Sequence, residues 1–111
     1  MKKVILIDLD GVLNSYMGNY DENYIPPVRN DAYNFLKYLA QDYSIKIFTT
    51  RNLFIVSKWV LENKIEEFID GVTNIKELNY LIIDDRCINF DGDYSNLKKQ
   101  IKNFKVWYKK E

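Results

Sequence analysis

The chain has 111 residues, with 16 basic and 16 acidic side chains and therefore no net formal charge. This length allows one domain with a sizeable core, so we expect residues 1–111 to form a single domain. The balanced charge gives no reason to expect bulk attraction to nucleic acid or to a membrane surface. No apolar run is long enough to span a bilayer or to serve as a signal peptide.

The sequence contains no histidine and only one cysteine, Cys87. The lack of histidine excludes Ser-His and Cys-His catalysis, a histidine general base and most zinc sites. Any bound metal must therefore use oxygen ligands, which favours Mg2+. A single cysteine forms no internal disulfide and fits a reducing cytoplasm, where we expect the protein to be located. Without a histidine partner, Cys87 is expected to be a small residue of the core or its edge.

The first predicted strand covers residues 4–8, because four apolar and mostly β-branched residues precede an aspartate. Asp8 and Asp10 stand two positions apart, so on an extended segment their carboxylates point the same way. Two like charges at this spacing fit a bound cation or a shared proton. They also fit an ordinary turn of solvated acids at Asp10 and Gly11.

The next three predicted elements are a loop, a helix and a strand. Residues 14–28 are polar, close with two prolines and predict a short flap over the strand ends. Apolar side chains at helical spacing then predict a helix over about residues 30–41; they are Ala32, Phe35, Leu36 and Leu39. Residues 44–50, with the sequence SIKIFTT, alternate in polarity and predict the second strand.

The chain then alternates between helix and strand again. Asn52 is suited to cap a helix that runs to about Asn63, with Leu53, Val56 and Val60 on its inner face. A short strand or turn is expected around residues 68–75. Residues 81–85, with the sequence LIIDD, predict a buried strand that ends in two acids.

The final segment is predicted to contain a brief strand, a helix and a packed tail. Residues 88–90 are apolar enough for a brief strand, and Asp93 is suited to cap the last helix. The apolar positions of that helix are Tyr94, Leu97, Ile101 and Phe104. We expect Trp107 and Tyr108 to pack back on the body, and both Trp59 and Trp107 to belong to the core.

This alternation predicts an α/β fold with a mostly parallel sheet and right-handed crossovers. In such sheets, ligands bind beyond the carboxyl ends of the strands. Polar side chains follow three of the predicted strands; they are Asp8, Asp10, Thr49, Thr50, Asp84 and Asp85. We therefore expect these side chains to meet at one edge of the sheet.

With Lys76, this set supplies the acids, hydroxyl and cation that are needed to hold Mg2+ and a phosphate. One carboxylate is able to act as a nucleophile through an aspartyl-phosphate, while a second protonates the leaving oxygen and later activates water. Thr49 is able to donate to a phosphoryl oxygen, and Lys76 to neutralise charge. Taken one at a time, these residues have ordinary structural explanations. Thr49 could cap the next helix, and Lys76 could be a solvated surface lysine.

The order of these residues resembles that of the haloacid dehalogenase (HAD) superfamily over nearly the whole chain. DLDGVL at residues 8–13 is similar to the first motif of its phosphatases, and Thr49 in IFTTR to the second. Lys76 stands where the third motif has its lysine, and IIDD, which ends at Asp85, is similar to the fourth. The response-regulator receiver uses similar residues in a different order. The resemblance implies a three-layer, Rossmann-like, HAD-like domain without a cap.

The resemblance also implies a role for each residue. Asp8 would be the nucleophile and a metal ligand, and Asp10 the general acid and base that also binds metal through its backbone carbonyl. Asp84 would complete the Mg2+ site, with Asp85 helping directly or through water. The groups expected to contact the substrate are Thr49, Thr50, Arg51, Lys76 and the backbone near Leu9 and Gly11.

Two features depart from the family pattern. The family's lysine is often followed by proline, whereas Lys76 precedes Glu77, and Lys64 is the nearest alternative. The chain has no cap domain and has only the flap to cover its site. The side chains expected at the rim of the site are Tyr16, Tyr20, Tyr24 and Arg51.

From these observations we expect a magnesium-dependent phosphomonoester hydrolase that acts on a phosphorylated small molecule or nucleotide. Nucleic-acid ends are a less favoured substrate, because the chain has no net charge and no visible basic stripe. The alternative is a phosphate- or nucleotide-binding module of the same fold with little catalytic activity.

Overall fold

The computed structural model describes residues 1–109, which form a four-stranded parallel sheet flanked by helices. The strands are β1 (Lys3–Asp8), β2 (Tyr43–Phe48), β3 (Gly71–Thr73) and β4 (Leu81–Ile83). The helices are α1 (Ala32–Ala40), α2 (Leu53–Glu62) and α3 (Tyr94–Lys102), with a short 3-10 turn at Glu66–Phe68. The strand order is β3-β2-β1-β4, and every pairing is parallel. The predicted α/β fold with a Rossmann-like sheet is confirmed.

Strand β1 lies inside the sheet because its residues are apolar on both faces. Ile5, Leu6 and Ile7 are at most 3% exposed. The strand pairs with β2 along its whole length and with β4 over Ile5–Ile7. A parallel strand buried on both faces needs such a continuous apolar run. The side chain of Asp8 therefore emerges where the most buried strand ends.

Helices α1 and α2 pack an apolar stripe against the sheet, as helical spacing predicts. The buried positions are Ala32, Leu36, Leu39, Val56, Trp59 and Val60. The side chain of Asn52 caps α2 by accepting a hydrogen bond from the N–H of Ile55 (3.1 Å), as predicted. Trp59 is a core residue, and its Nε1 also donates to the carbonyl oxygen of Pro26 (3.0 Å) at the base of the flap.

The C-terminal part departs most from prediction. Residues 88–90 form no strand and follow a bend at Asp85–Arg86, where the N–H of Arg86 donates to Asp84 Oδ1 (2.8 Å). Asp93 caps α3 as predicted, accepting from the N–H of Ser95 (2.9 Å). However, α3 buries none of its residues, and Phe104 beyond it is exposed. An apolar helical pattern sets the helix but does not supply a packing partner.

Three apolar residues are more exposed than the sequence suggests. Trp107 is 46% exposed and is not a core residue, although its Nε1 donates to the carbonyl oxygen of the buried Gly11 (2.7 Å). Phe35 and Cys87 are also exposed. The tail nevertheless packs on the body as predicted, since Val106 is buried. Within residues 1–109, no helix has the length and apolar character needed to cross a membrane.

Candidate active site

A polar cleft of about 310 Å3 lies where β1 and β2 end and where the chain leaves β4. Six predicted residues line it together: Asp8, Asp10, Thr49, Thr50, Asp84 and Asp85. Parallel strands place their carboxyl ends at one edge of the sheet, so residues far apart in sequence converge there. The flap contributes Tyr16 and Tyr20 to the wall.

A second pocket, of about 540 Å3, lies beside this cleft and shares Asp84 and Asp85 with it. Its remaining walls are mostly apolar, and its other charged residues, Arg29 and Asp31, form a salt bridge with each other (3.3 Å). Among residues 1–109, no hydroxyl or uncommitted carboxylate lines this larger pocket besides the two shared acids. The candidate site is therefore the smaller cleft.

Three carboxylates converge in the cleft. Oxygen atoms of Asp8, Asp84 and Asp85 lie within 4.8 Å of one another. Burial, the charge of Asp84 and a hydrogen bond with Asp85 raise the pKa of Asp8 to about 8, against a smaller opposing effect of the Leu9 N–H. Burial and Asp84 also raise the pKa of Asp85, although its hydrogen bond with Asp8 acts in the opposite direction.

Such a cluster is stable when it shares protons or when a cation neutralises it. Carboxylate oxygens are the ligands that Mg2+ prefers, so the residues present fit the metal that the sequence predicts. Asp8 ends β1, and Asp84 and Asp85 directly follow β4, so the pairing of these two strands brings the three acids together. The cluster is therefore a built feature of the sheet rather than a chance grouping of mobile surface acids.

Gly11 makes the close approach of Asp85 possible. Its φ angle is +87°, a left-handed conformation that side chains disfavour, and a Cβ at this position would collide with Asp85 Oδ2. Its N–H donates to Asn14 Oδ1 (3.2 Å), so the predicted contact of this N–H with a phosphoryl group is not supported. The side chain of Leu9 is wholly buried, so any contact of this residue with a ligand would be made by its backbone.

Asp10 is held by two neighbours. Arg51 donates to both of its carboxylate oxygens, from Nε to Oδ2 (2.8 Å) and from Nη2 to Oδ1 (3.1 Å). The side-chain amide of Asn14 also donates to Oδ1 (3.0 Å). Arg51 is only 5% exposed and does not line the cleft, so it does not stand at the rim, while its contact with a substrate stays a prediction. Its guanidinium faces inward because the carboxylate of Asp10 compensates its buried charge.

Thr49 and Thr50 lie directly after β2. Thr49 is buried, its N–H donates to the carbonyl oxygen of Thr73 (3.0 Å), and its Oγ1 accepts from the N–H of Arg51 (3.1 Å). The hydroxyl proton of Thr49 is thus left to donate to a ligand in the cleft. Thr50 is exposed at the wall.

The predicted lysine is not part of the cleft. Lys76 is exposed in the loop after β3, whose neighbouring Glu77 pairs with Lys46 (2.8 Å). Lys64 stands at the end of α2 with a φ angle of +58° and does not line the cleft either. Within residues 1–109, the cation in the cleft wall is Arg86. The path of the loop, which sequence spacing does not fix, carries Lys76 away.

Sequence reasoning missed three polar residues of the site: Asn14, Asn74 and Arg86. Arg86 directly follows the predicted acid pair, so its position at a strand end was a usable signal. Nothing in the sequence marks Asn14 or Asn74. Of the predicted rim tyrosines, Tyr16 and Tyr20 line the cleft, whereas Tyr24 does not and is exposed.

The fold and the cleft define an α/β protein with a Rossmann-like sheet and an acidic site at its carboxyl edge. No family profile and no curated protein sequence matches the chain. A solved structure of a conserved protein from Bacteroides thetaiotaomicron is similar, with a TM-score of 0.59 and 18% sequence identity. The similarity covers 96% of this chain and 95% of the other. At this identity, the likeness establishes the fold alone.

Proposed function

We propose that this protein is a magnesium-dependent phosphomonoester hydrolase of the HAD type, with Asp8 as its nucleophile. The observation that carries the proposal is the cluster of Asp8, Asp84 and Asp85, with oxygens within 4.8 Å of one another beside the hydroxyl of Thr49. An acidic cluster that favours a cation, next to a hydroxyl donor, suits a dianionic phosphate ester.

The three carboxylates would hold Mg2+, which when bound would screen the charge of the phosphate from that of Asp8. In the proposed first step, a carboxylate oxygen of Asp8 forms a bond to phosphorus as the ester oxygen leaves. Asp10 gives that oxygen a proton, then takes one from the water that hydrolyses the aspartyl-phosphate. Thr49 donates to a phosphoryl oxygen, and Arg86 supplies the positive charge expected of Lys76.

A second function is favoured by one specific observation, the salt bridge between Arg51 and Asp10. Three hydrogen bonds, two from Arg51 and one from Asn14, occupy both carboxylate oxygens of Asp10 and commit them to the protein. If this salt bridge serves only to hold the site together and Asp10 moves no proton, the cleft would bind a phosphate or nucleotide without turning it over. This is the binding module that the sequence leaves as the alternative.

The test is phosphate release from nucleoside monophosphates, sugar phosphates and phosphorylated oligonucleotides, measured with Mg2+ and with EDTA. The variant is Asp8→Asn, and the matched control is Asp42→Asn. Asp42 is exposed just before β2, at the opposite edge of the sheet. The proposal predicts magnesium-dependent release that falls by at least about a thousandfold in Asp8→Asn and persists in Asp42→Asn.

Two other results would redirect the proposal. Absence of release with every substrate, together with calorimetric binding of Mg2+ and phosphate, would favour the binding module. Release from oligonucleotide ends that weakens steeply with salt would favour a nucleic-acid substrate, because phosphate contacts along a strand make affinity salt-dependent.

A further inference from the structure

Arg51 joins the candidate site to the tip of the flap, which we define as residues 17–24. Besides its two bonds to Asp10, its guanidinium donates through Nη1 to the carbonyl oxygen of Asp21 (2.8 Å). The same guanidinium lies 4.5 Å from the centre of the Tyr20 ring, at the distance of a cation–π contact. One side chain therefore contacts a proposed catalytic carboxylate and two residues of the flap tip.

The position of this guanidinium is well defined. Arg51 is 5% exposed, its own N–H is bound by Thr49, and the next residue, Asn52, caps α2. The planar fork of an arginine fits a carboxylate through two parallel hydrogen bonds, which fixes orientation as well as distance. Moving it away from Asp10 would leave a buried charge without its partner, which is costly.

The flap tip depends on this contact more than the flap base does. The base is held by hydrogen bonds from Trp59 Nε1 to Pro26 and from the N–H of Val28 to Asn63 Oδ1 (3.2 Å). In the tip, all residues are exposed, and within the described 1–109 its hydrogen bond to the body is the one from Arg51 to Asp21. Segments with few buried contacts open easily, so this bond governs whether the tip stays closed.

We propose that Arg51 is a positioning residue that orients the Asp10 carboxylate and holds the flap tip closed as one coupled event. The role of Asp10 as proton donor rests on the proposed function. The link between the orientation of Asp10 and closure of the flap tip does not. The leaving oxygen then meets a correctly aimed Asp10 only when the tip covers the cleft. Substrates with poor leaving groups depend most on this arrangement, because they need a proton as they depart.

The test compares Arg51→Gln with Arg29→Gln. The control breaks another Arg–Asp salt bridge, that of Arg29 with Asp31, outside the cleft. Two readouts need no turnover: hydrogen exchange of the tip amides and the NMR resonance of the Asn14 side-chain amide, which donates to Asp10. We expect Arg51→Gln to speed tip exchange at least about tenfold and to shift the Asn14 resonance. Arg29→Gln should change neither.

A change in only one of these readouts would overturn the coupling, and so would an equal change in both variants. If Arg51→Gln fails to fold, Tyr20→Leu replaces it, since loss of the ring contact should also speed exchange and shift the Asn14 resonance. If neither the exchange of the tip amides nor the Asn14 resonance changes in Tyr20→Leu, the proposal is overturned.

Measurements of turnover test whether Arg51 positions Asp10 for proton donation to the leaving group. Arg51→Gln should lower kcat for an alkyl phosphate more than for p-nitrophenyl phosphate, whose leaving group needs no proton. Guanidinium chloride, but not potassium chloride at equal ionic strength, should restore part of kcat in Arg51→Ala. An equal loss for both substrates would contradict positioning of Asp10. If the wild-type protein releases no phosphate while both structural readouts respond, the proposed function fails and the coupling stands.

Discussion

Replacing Asp8 by asparagine should stabilise the metal-free protein while it removes the proposed nucleophile. The pKa of Asp8 is raised from 3.8 to about 8 by burial and by the neighbouring acids Asp84 and Asp85. The folded protein therefore holds a proton on Asp8 at pH values where the unfolded chain has lost it. Stability must fall as pH rises from about 4 to about 8, since the native state binds more protons in that window.

The magnitude follows from the same shift. At pH 7 the pH lies about three units above the pKa of this carboxyl in the unfolded chain. At ~1.36 kcal/mol per unit, the destabilisation that Asp8 causes in the folded protein has an upper limit of about 4 kcal/mol. Solvent in the half-open cleft screens part of this repulsion, so we expect a gain of about 1–2 kcal/mol in Asp8→Asn. For a domain of this size, that gain raises Tm by about 5–10 °C.

The assay is thermal unfolding in EDTA at pH 5, 6, 7 and 8, followed by circular dichroism. Asp8→Asn should exceed the wild type by a margin that grows with pH through this range. Asp42→Asn removes an equal charge at the opposite edge of the sheet and should shift the unfolding free energy by less than about 0.5 kcal/mol. A Tm for Asp8→Asn that is unchanged or lower at pH 8 would refute the strained acid cluster.

Three further predictions follow from contacts in and around the cleft. Gly11→Ala should destabilise the protein by about 1–3 kcal/mol in urea unfolding, because φ is +87° and the new Cβ would meet Asp85; an unchanged midpoint would contradict this geometry. In calorimetry, Lys76→Ala should change phosphate affinity by less than about twofold, whereas Arg86→Ala should weaken it about tenfold or more. The reverse ranking would show that Lys76 is the phosphate-binding cation, as the sequence predicts. Mg2+ should raise Tm more at pH 8 than at pH 5, because protons compete with the metal for Asp8; a pH-independent rise would place the metal elsewhere.

Local sequence patterns predicted most of the sheet and both helix caps that the structure contains. The apolar run before Asp8 requires burial on both faces, which only an interior strand provides. Asn52 and Asp93 cap their helices through contacts two or three residues away, so no tertiary information is needed. The meeting of the acids with Thr49 followed from topology, because parallel strands end at one edge.

The remaining features depend on contacts between distant parts of the chain. Arg51 and Asp10 are 41 residues apart, and their pairing depends on which side chain compensates a buried charge rather than on spacing. The position of Lys76 depends on a loop that Glu77 anchors to Lys46. Helix α3 has an apolar pattern without a buried face, since no pattern reveals whether a partner surface exists nearby.

The proposed mechanism requires Asp8 to carry the phosphoryl group, and acid-quenched mass spectrometry detects such a group on the protein. The protein is mixed with p-nitrophenyl phosphate and Mg2+, quenched within milliseconds and digested, and the peptide that contains Asp8 is weighed. We expect one added phosphoryl group on Asp8, absent in Asp8→Asn and in EDTA. Phosphate release without any phosphorylated peptide, or a phosphoryl group on another residue, would contradict it.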